Sequence, residues 1–423
     1  GQDGAGVANV KLDMPPGTRY IHCEKSIAAD PIGDLFGRVE KQEHLPGSCV
    51  QMQLFTGERW VKDNIPFCGE AYLAHVRYGT DSENSLDRCH PVTRESNWMT
   101  RNLILAGNFN ITNNEDLFGS LVQLGQHPRE LSDTVMLLEK IGHFVDKENN
   151  DLYVKYSAAG HSPQTCFSLI AENINIARIL RRASGLWDGG YCIAGLLGHG
   201  DAFVMRDPSG IRPAFYYADD DFITVCSEAP LIQTVFGVQE DKVHPLPPGQ
   251  ALCIKRSGAW SLEQILVPLA LKQCSFERIY FSRGNDAGVY REREELGRLL
   301  LPPLLKLRNT VLSFIPNTSE LAFLGLAKQA QDHLDREKAE LVKAMGQNGS
   351  AVKIDEAKLH ELLSAKVRTE KVVHKDAKIR TFIQEDSSRE HLTMHAYDIH
   401  YGTVRRGQAG LWFCTCNLLG TGV

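Results

Sequence analysis

"LAGNFNITN", residues 105–113, begins as an apolar run and ends among three asparagines. The apolar start reads as a strand. The Asn-rich end reads as a loop, because Asn bonds its own backbone and favours turns. Two helical segments follow. In "EDLFGSLVQLG" (115–125), Leu117, Leu121 and Leu124 fall at i, i+4 and i+7, the spacing of one helix face. "LSDTVMLLEKIGHFV" (131–145) opens with Ser132 and Asp133, side chains suited to an N-cap, and continues with an apolar helical face. Upstream, "AHVRYGT" (74–80) is an apolar strand that ends in Arg77. The first six residues, "GQDGAG", read as a glycine-rich turn.

Further along, "DAFVMRD" (201–207), "FITVCSE" (222–228) and "GQALCIKR" (249–256) read as strands. In "RDPSGIRP" (206–213), Asp207, Pro208 and Gly210 take positions i, i+1 and i+3 of a type I turn, so a hairpin is expected there. From about residue 266 the pattern changes. "ERIYFS" (277–282) and "TVLSFIP" (310–316) look like buried strands, with the helix "REREELGRLL" (291–300) between them. That β-α-β order predicts a parallel sheet. Two more helices are expected, over "LAKQAQDHLDREKAELVKAMG" (326–346) and over "IDEAKLHELLSAKV" (354–367), the latter opened by Asp355.

The bulk numbers narrow the function classes. A chain of 423 residues, 43% hydrophobic and 23% charged, is long enough for two or three domains with cores. A net charge of -6 without basic blocks argues against nucleic acid, and no apolar run is long enough to span a membrane. The 11 cysteines form no CxxC pair and are odd in number, which fits a reducing compartment and argues against zinc.

Three segments suggest a chemistry when taken together. A guanidinium, Arg77, can hold a carboxylate bidentately. An acid at a helix start, Asp133, can hold an ammonium. An Asn side chain beside a backbone N–H can stabilise the oxyanion formed when an amide is attacked. Alone, each has a plainer reading: Arg77 a surface ion pair, Asn108 and Asn110 turn residues, Asp133 a cap worth about 1 kcal/mol. Together they outline a site for glutamine.

The segments "GQDGAG", "AHVRYGT", "GNFNITN", "LSDT", "GGYCIAGLL", "RDPSGIRP", "CSEAPLI", "PPGQ", "CSFERIYFSR", "FIPNTSELAF" and "IRTFI" occur in one order from Gly1 to about Arg406. With them the chain resembles the glutamine phosphoribosylpyrophosphate amidotransferases, which start purine nucleotide synthesis. The resemblance implies a mixed α+β and α/β fold. Residues 1–265 would form an N-terminal nucleophile glutaminase domain, a four-layer αββα sandwich. Residues 266–407 would form a partial phosphoribosyltransferase domain of type I, and residues 408–423 a tail foreign to the family. It implies hydrolysis of glutamine and transfer of the ammonia to phosphoribosyl pyrophosphate, by a cytoplasmic, Mg2+-dependent homo-oligomer.

By the same resemblance Arg77, with Thr80 nearby, clamps the glutamine α-carboxylate, and Asp133 holds the α-ammonium. Asn108 and the N–H of Phe109 form the oxyanion hole. Phe109 stands where the family more often has Gly, and Gly107 where it has His. Arg380 and Thr381 belong to a loop that closes over the ribose substrate. Cys274 matches a position that ligates an iron–sulfur cluster in some members, and a cluster is not expected here.

Two departures bear on activity. The family's nucleophile is an N-terminal Cys upstream of an "HRGQ" turn, whose own α-amine is the base. This chain starts at the Gly of that turn, and Cys23 has no free amine. At the other end the paired acids of a "VVDDSIVRGTT"-like motif, whose following loop wraps a 5′-phosphate, give way to "RRGQAGLWFCTCNLLGTGV". The tail from about 408 reads as a frame change, expected to pack poorly. The chain is therefore expected to be truncated at both ends and inactive. A related sugar-phosphate aminator is disfavoured by "IRTFI" and the strand order after 265. The alternative from another class is a non-catalytic glutamine-binding or regulatory protein.

Overall fold

Gly4 and Gly6 of "GQDGAG" lie in a strand, not in a turn. In the computed structural model, which describes residues 3–43, 58–78, 85–306, 311–347, 356–375, 396–400 and 410–413, Gly4–Val10 forms β1. It is the middle strand of an antiparallel sheet, flanked by β2 (Ile21–Ser26) and β3 (Ala71–Arg77). The glycines serve close approach. A Cβ on Gly6 would stand 2.1 Å from the His90 carbonyl oxygen, and one on Gly4 would stand 3.1 Å from Cys89 Sγ. The segment Cys89–Pro91 thus lies directly on β1, and the Cys89 thiol donates to the Ala5 carbonyl at 3.5 Å.

The chain divides into two compact units, Gly1–Gln273 and Cys274–Val423. The division falls later than the expected 265/266 boundary. Leu269 N–H and Lys272 N–H donate to the carbonyls of Pro208 and Ser209, at 2.8 Å each, and so hold this segment on the first unit.

In the first unit, helices α1 (Pro31–Glu43) and α2 (Glu58–Asn64) lie between β2 and β3 in sequence, and α1 packs on β1 and β2. A second sheet has six strands. They are β4 (Val92–Arg94), β5 (Leu103–Ile111), β6 (Gly189–Leu197), β7 (Ala202–Arg206), β11 (Gln250–Ile254) and β12 (Trp260–Gln264), in the order β12-β11-β7-β6-β5-β4. Ala8, Val10, Ile104 and Leu196 are buried together where the two sheets face each other. On its other face the six-stranded sheet carries α3 (Asn114–Gln123), α4 (Asp133–Ala158), α5 (Pro163–Asn173) and α6 (Ile176–Ala183). There Leu103, Leu105, Ile193 and Met205 join Leu121, Leu137, Ile141 and Leu180 in the main core. A helix, two sheets and helices therefore stack in that order.

Several expectations are corrected. Only two helical stretches were expected before residue 265, and the structure adds α1, α2, α5, α6 and α7 (Ala229–Phe236). Leu124 caps α3 and is exposed instead of extending its buried face, because the helix ends at Gln123. The turn at 206–213 does form, with Gly210 N–H donating to the Asp207 carbonyl at 3.1 Å. It closes no hairpin, however. β7 pairs with β6 and β11, whereas β8 (Phe215–Ala218) joins β9 (Ile223–Cys226) and β10 (His244–Pro245) in a separate sheet. The Asp207 carboxylate takes three backbone N–H groups, from Ser209, Ile211 and Arg212, and turns the chain from one sheet to the other.

In the second unit, "ERIYFS" forms a π-helical turn over Glu277–Phe281, not a strand. Ser282 N–H donates five residues back to the Glu277 carbonyl at 2.8 Å. Phe276 stacks on Tyr280 and Phe281, contacts that an extended chain cannot make. The Arg293 side chain donates to the carbonyls of Arg278 and Ser282 and locks the turn. Helices α8 (Ala287–Leu299) and α9 (Leu301–Leu304) precede β13 (Val311–Phe314). Then come α10 (Glu320–Gln347), α11 (Glu356–Ser364), β14 (Val373–Lys375), β15 (Tyr397–Ile399) and β16 (Gly410–Phe413). The expected parallel pairing exists between different partners. β13 pairs in parallel with β16, Val311 opposite Gly410 and Phe314 opposite Phe413. On its other side Leu312 N–H donates to the Arg368 carbonyl and Glu370 N–H to the Leu312 carbonyl, both at 3.0 Å. Of the tail expected to pack poorly, Gly410–Phe413 forms a paired strand, and the rest lies outside the described residues. No helix of the described residues is long and apolar enough to cross a membrane.

Between β3 and β5 two histidine rings fill the gap. His75 and His90 stand 4.8 Å apart, and His90 lies 5.2 Å from the Phe109 ring. Burial pushes His90 down to about 3, helped by His75, and pushes His75 down to about 4. Both rings are therefore neutral at pH 7.

Two outcomes check this packing. Gly6→Ala is expected to lower unfolding stability by about 2 kcal/mol or more, because backbone at 2.1 Å cannot give way. Gly37→Ala, in open space on α1, is expected to gain about 1 kcal/mol in the same urea titration. The pH dependence follows from the lowered histidine values. Below 6.5 the unfolded chain takes up protons that the folded chain refuses, so stability falls as pH drops from 6.5 toward 3. His90, 7% exposed, accounts for about 2 kcal/mol of that fall at pH 5. The difference in urea midpoint between pH 7 and pH 5 should shrink in His90→Phe.

Candidate functional site

The expected loop at 108–113 is largely strand. β5 continues through Ile111, so Asn108 and Asn110 are strand residues, and the turn begins at Thr112. The chain stays extended because β6 pairs with it along its whole length, Asn108 opposite Cys192 and Ile111 opposite Gly189. On its other side β4 covers only Leu103–Leu105. Residues 106–111 therefore present a sheet edge that β4 does not cover.

The ladder fixes which N–H groups point to that edge. Thr112 N–H donates toward β6, to the Asp188 carbonyl at 2.9 Å. Even-numbered residues thus face β6 and odd-numbered ones face the edge. Two edge positions have acceptors. Gly107 N–H donates to His90 Nδ1 at 3.4 Å, and Ile111 N–H donates to Asp133 Oδ2 at 2.8 Å. Phe109 N–H lies between them and points the same way. Its ring packs inward against the main core, while the neighbouring Asn108 is exposed on the opposite face of β5.

Asp133 is the first residue of α4. Ser132 caps that helix, its Oγ accepting from Val135 N–H at 3.4 Å. This frees the Asp133 carboxylate to reach β5. Besides Ile111 N–H it accepts from the Asn114 side chain, which leaves about half of its acceptor capacity. Thr134 follows, and its hydroxyl lies 3.1 Å from His90 Nε2. With Nδ1 accepting from Gly107, the neutral ring carries its proton on Nε2 and donates to Thr134.

Arg77 ends β3 opposite Gly4, and Asp3 N–H donates to its carbonyl at 3.2 Å. Its charge reaches His75, His90 and Cys89, lowering each group's affinity for a proton. Arg77, Asn108, Phe109 and Asp133 come from three distant segments, and His90 stands among them. Sequence reasoning did not single out His90 or His75. Their signal, a His before Pro91 and a His within an apolar strand, is indistinguishable from that of ordinary core histidines. Thr80, Arg380 and Thr381 lie outside the described residues.

The cysteines near the site are not activated. The Cys89 and Cys23 thiols are both pushed up by burial, and Cys23 Sγ faces the Pro91 carbonyl at 3.9 Å. Such thiols are poor nucleophiles. Among the described residues no three His, Cys, Asp or Glu side chains gather as metal ligands. Cys274 is a free, half-buried thiol.

No family model matches the chain. Curated relatives do. It is 28% identical over 242 residues to an amidophosphoribosyltransferase of Pasteurella multocida (strain Pm70), covering 55% of this chain and 43% of that protein. It is 26% identical to the amidophosphoribosyltransferase of Escherichia coli (strain K12), with the same coverage. The chain thus spans less than half the length of the curated relatives it matches. Among solved structures it is similar to a glutamine phosphoribosylpyrophosphate amidotransferase from B. subtilis, complexed with ADP and GMP. The TM-score is 0.61 at 21% identity, covering 97% of this chain and 69% of that one. A structure described as the allosteric regulatory enzyme of purine biosynthesis gives a TM-score of 0.63 at 20% identity, covering 97% and 68%. The chain is thus similar in sequence to curated amidophosphoribosyltransferases and shares a mixed α/β fold with these solved structures.

Proposed function

We propose that the first unit is a glutamine site of the N-terminal nucleophile type, an αββα sandwich, and that the second is part of a type I phosphoribosyltransferase domain. On this reading the whole protein hydrolyses glutamine and passes the ammonia to phosphoribosyl pyrophosphate in purine synthesis, giving phosphoribosylamine, glutamate and pyrophosphate. The observation that carries the reading is the β5 edge. Phe109 N–H points outward between two N–H groups that already have acceptors, next to Asn108 and within one strand of Asp133. Asn108 and Phe109 N–H would stabilise the oxyanion of an attacked amide. Asp133 would take the α-ammonium, and Arg77 the α-carboxylate in a bidentate fork. Thr80, Arg380 and Thr381 keep the roles the resemblance gives them, beside Arg77 and over the ribose substrate. The cytoplasmic setting, homo-oligomeric state and use of Mg2+ with phosphoribosyl pyrophosphate also come with the resemblance.

A second reading, a non-catalytic glutamine-binding or regulatory protein, is favoured by one observation. Cys23 and Cys89 beside β1, and Cys192 opposite Asn108 on β6, all have thiols pushed up by burial.

Two experiments bear on these readings. The 423-residue chain is expected to release no ammonia from glutamine above the uncatalysed rate. A coupled glutamate dehydrogenase assay with purified protein measures this, and measurable turnover would contradict it. Glutamine is expected to bind nonetheless, and Arg77→Lys should weaken it about tenfold in isothermal titration calorimetry, since a point charge replaces a fork. Equal affinity of the two proteins would remove Arg77 from the site.

A further inference from the structure

His90 occupies a place that packing alone does not require. Its two ring nitrogens meet two different elements: Nδ1 faces Gly107 N–H on β5, and Nε2 faces the Thr134 hydroxyl at the start of α4. Gly107 immediately precedes Asn108, and Thr134 immediately follows Asp133. Each tie therefore lands one residue from a group that the proposed site uses.

β5 and α4 are joined a second time where Ile111 N–H meets Asp133. Along an extended strand residues 107 and 111 are about 13 Å apart, so the two ties bracket Phe109 N–H about midway. Were Asp133 the sole link, a ligand drawing on its carboxylate would pull against the bond that holds the strand. A second tie through His90 carries that restraint independently. The ring is held in turn by His75 at 4.8 Å and Phe109 at 5.2 Å, and by its own backbone pressed against Gly6.

We propose that His90 is a positioning residue of the glutamine site. Its ring fixes the separation between the β5 edge that carries Asn108 and Phe109 N–H and the helix start that carries Asp133. This rests on the glutamine reading for the identity of the ligand, but the mechanical claim stands on the two bonds. Burial keeps the ring neutral, which leaves Nδ1 able to accept from Gly107.

The test uses the full chain with His90→Phe, Thr134→Val and the double variant. Phe keeps a ring between His75 and Phe109 but has no nitrogen, and Val keeps the shape of Thr without the hydroxyl. Amide hydrogen exchange and glutamine affinity are measured on each. The Ile111 amide bonds to neither altered residue. It is expected to exchange severalfold faster in both single variants, as β5 and α4 lose their fixed separation. Glutamine Kd is expected to rise about tenfold in each single variant, with no further rise in the double variant, because both remove one link. Unchanged Ile111 exchange in both variants would overturn the positioning role. So would an unchanged Kd, or a fully additive loss in the double variant. Should the wild-type chain bind no glutamine at all, the functional reading fails, and Ile111 exchange alone still decides the role of His90.

Discussion

The backbone of His90 rests on a strand that has no side chain beneath it. At Gly6 any Cβ would collide with the His90 carbonyl, and at Gly4 the space belongs to the Cys89 thiol and the Arg77 stem. This approach carries the Cys89–Pro91 segment across the inner side of β1. From there the His90 ring reaches the edge of β5 and the first turn of α4. Three elements distant in sequence are thereby held in one small volume. A larger residue at position 6 would push the segment away and part the ring from both of its partners.

The electrostatics of the region follow from the same crowding. His75 and His90 are buried against each other near Arg77, so neither takes a proton at neutral pH. The two rings add polar contacts but no positive charge. Arg77 ends β3, which carries His75, and Asp133 opens α4, whose Thr134 meets His90. The neutral β5 edge supplies directional donors between them. The exposed Asn108 then needs only the strand's own alternation to lie beside Phe109 N–H on the uncovered stretch of β5.

The second unit shows how little a parallel strand asks of its side chains. β13 is buried along its length and offers backbone donors and acceptors on both sides. One side is met by the stretch around Arg368 and Glu370, the other by Gly410–Phe413. The composition of that last segment differs abruptly from what precedes it, but an extended apolar run satisfies an open strand whatever its origin. Compositional novelty is therefore a poor guide to whether a segment is accommodated.

By itself the sequence determined the elements with strong local codes. The Ser132 cap, the Leu117–Leu121 pair of α3 and the apolar face of α4 were legible because each is settled within a few residues. The Asp207 turn was legible too, since its carboxylate bonds N–H groups of the same loop. The order of family motifs pointed to Arg77, Asn108, Phe109 and Asp133. What only the tertiary structure decided was where neighbours override local preference. Asn108 and Asn110 favour turns in isolation, yet nine consecutive pairings with β6 keep them extended. "GQDGAG" has the composition of a turn, but Gly4 and Gly6 answer to a segment more than eighty residues away. "ERIYFS" carries a short apolar run like a buried strand, and the contacts of Phe276 together with Arg293 coil it. His90 carried no local signal at all, because its role depends on two bonds to partners 17 and 44 residues away, and sequence patterns report only what lies within a turn or two of the chain.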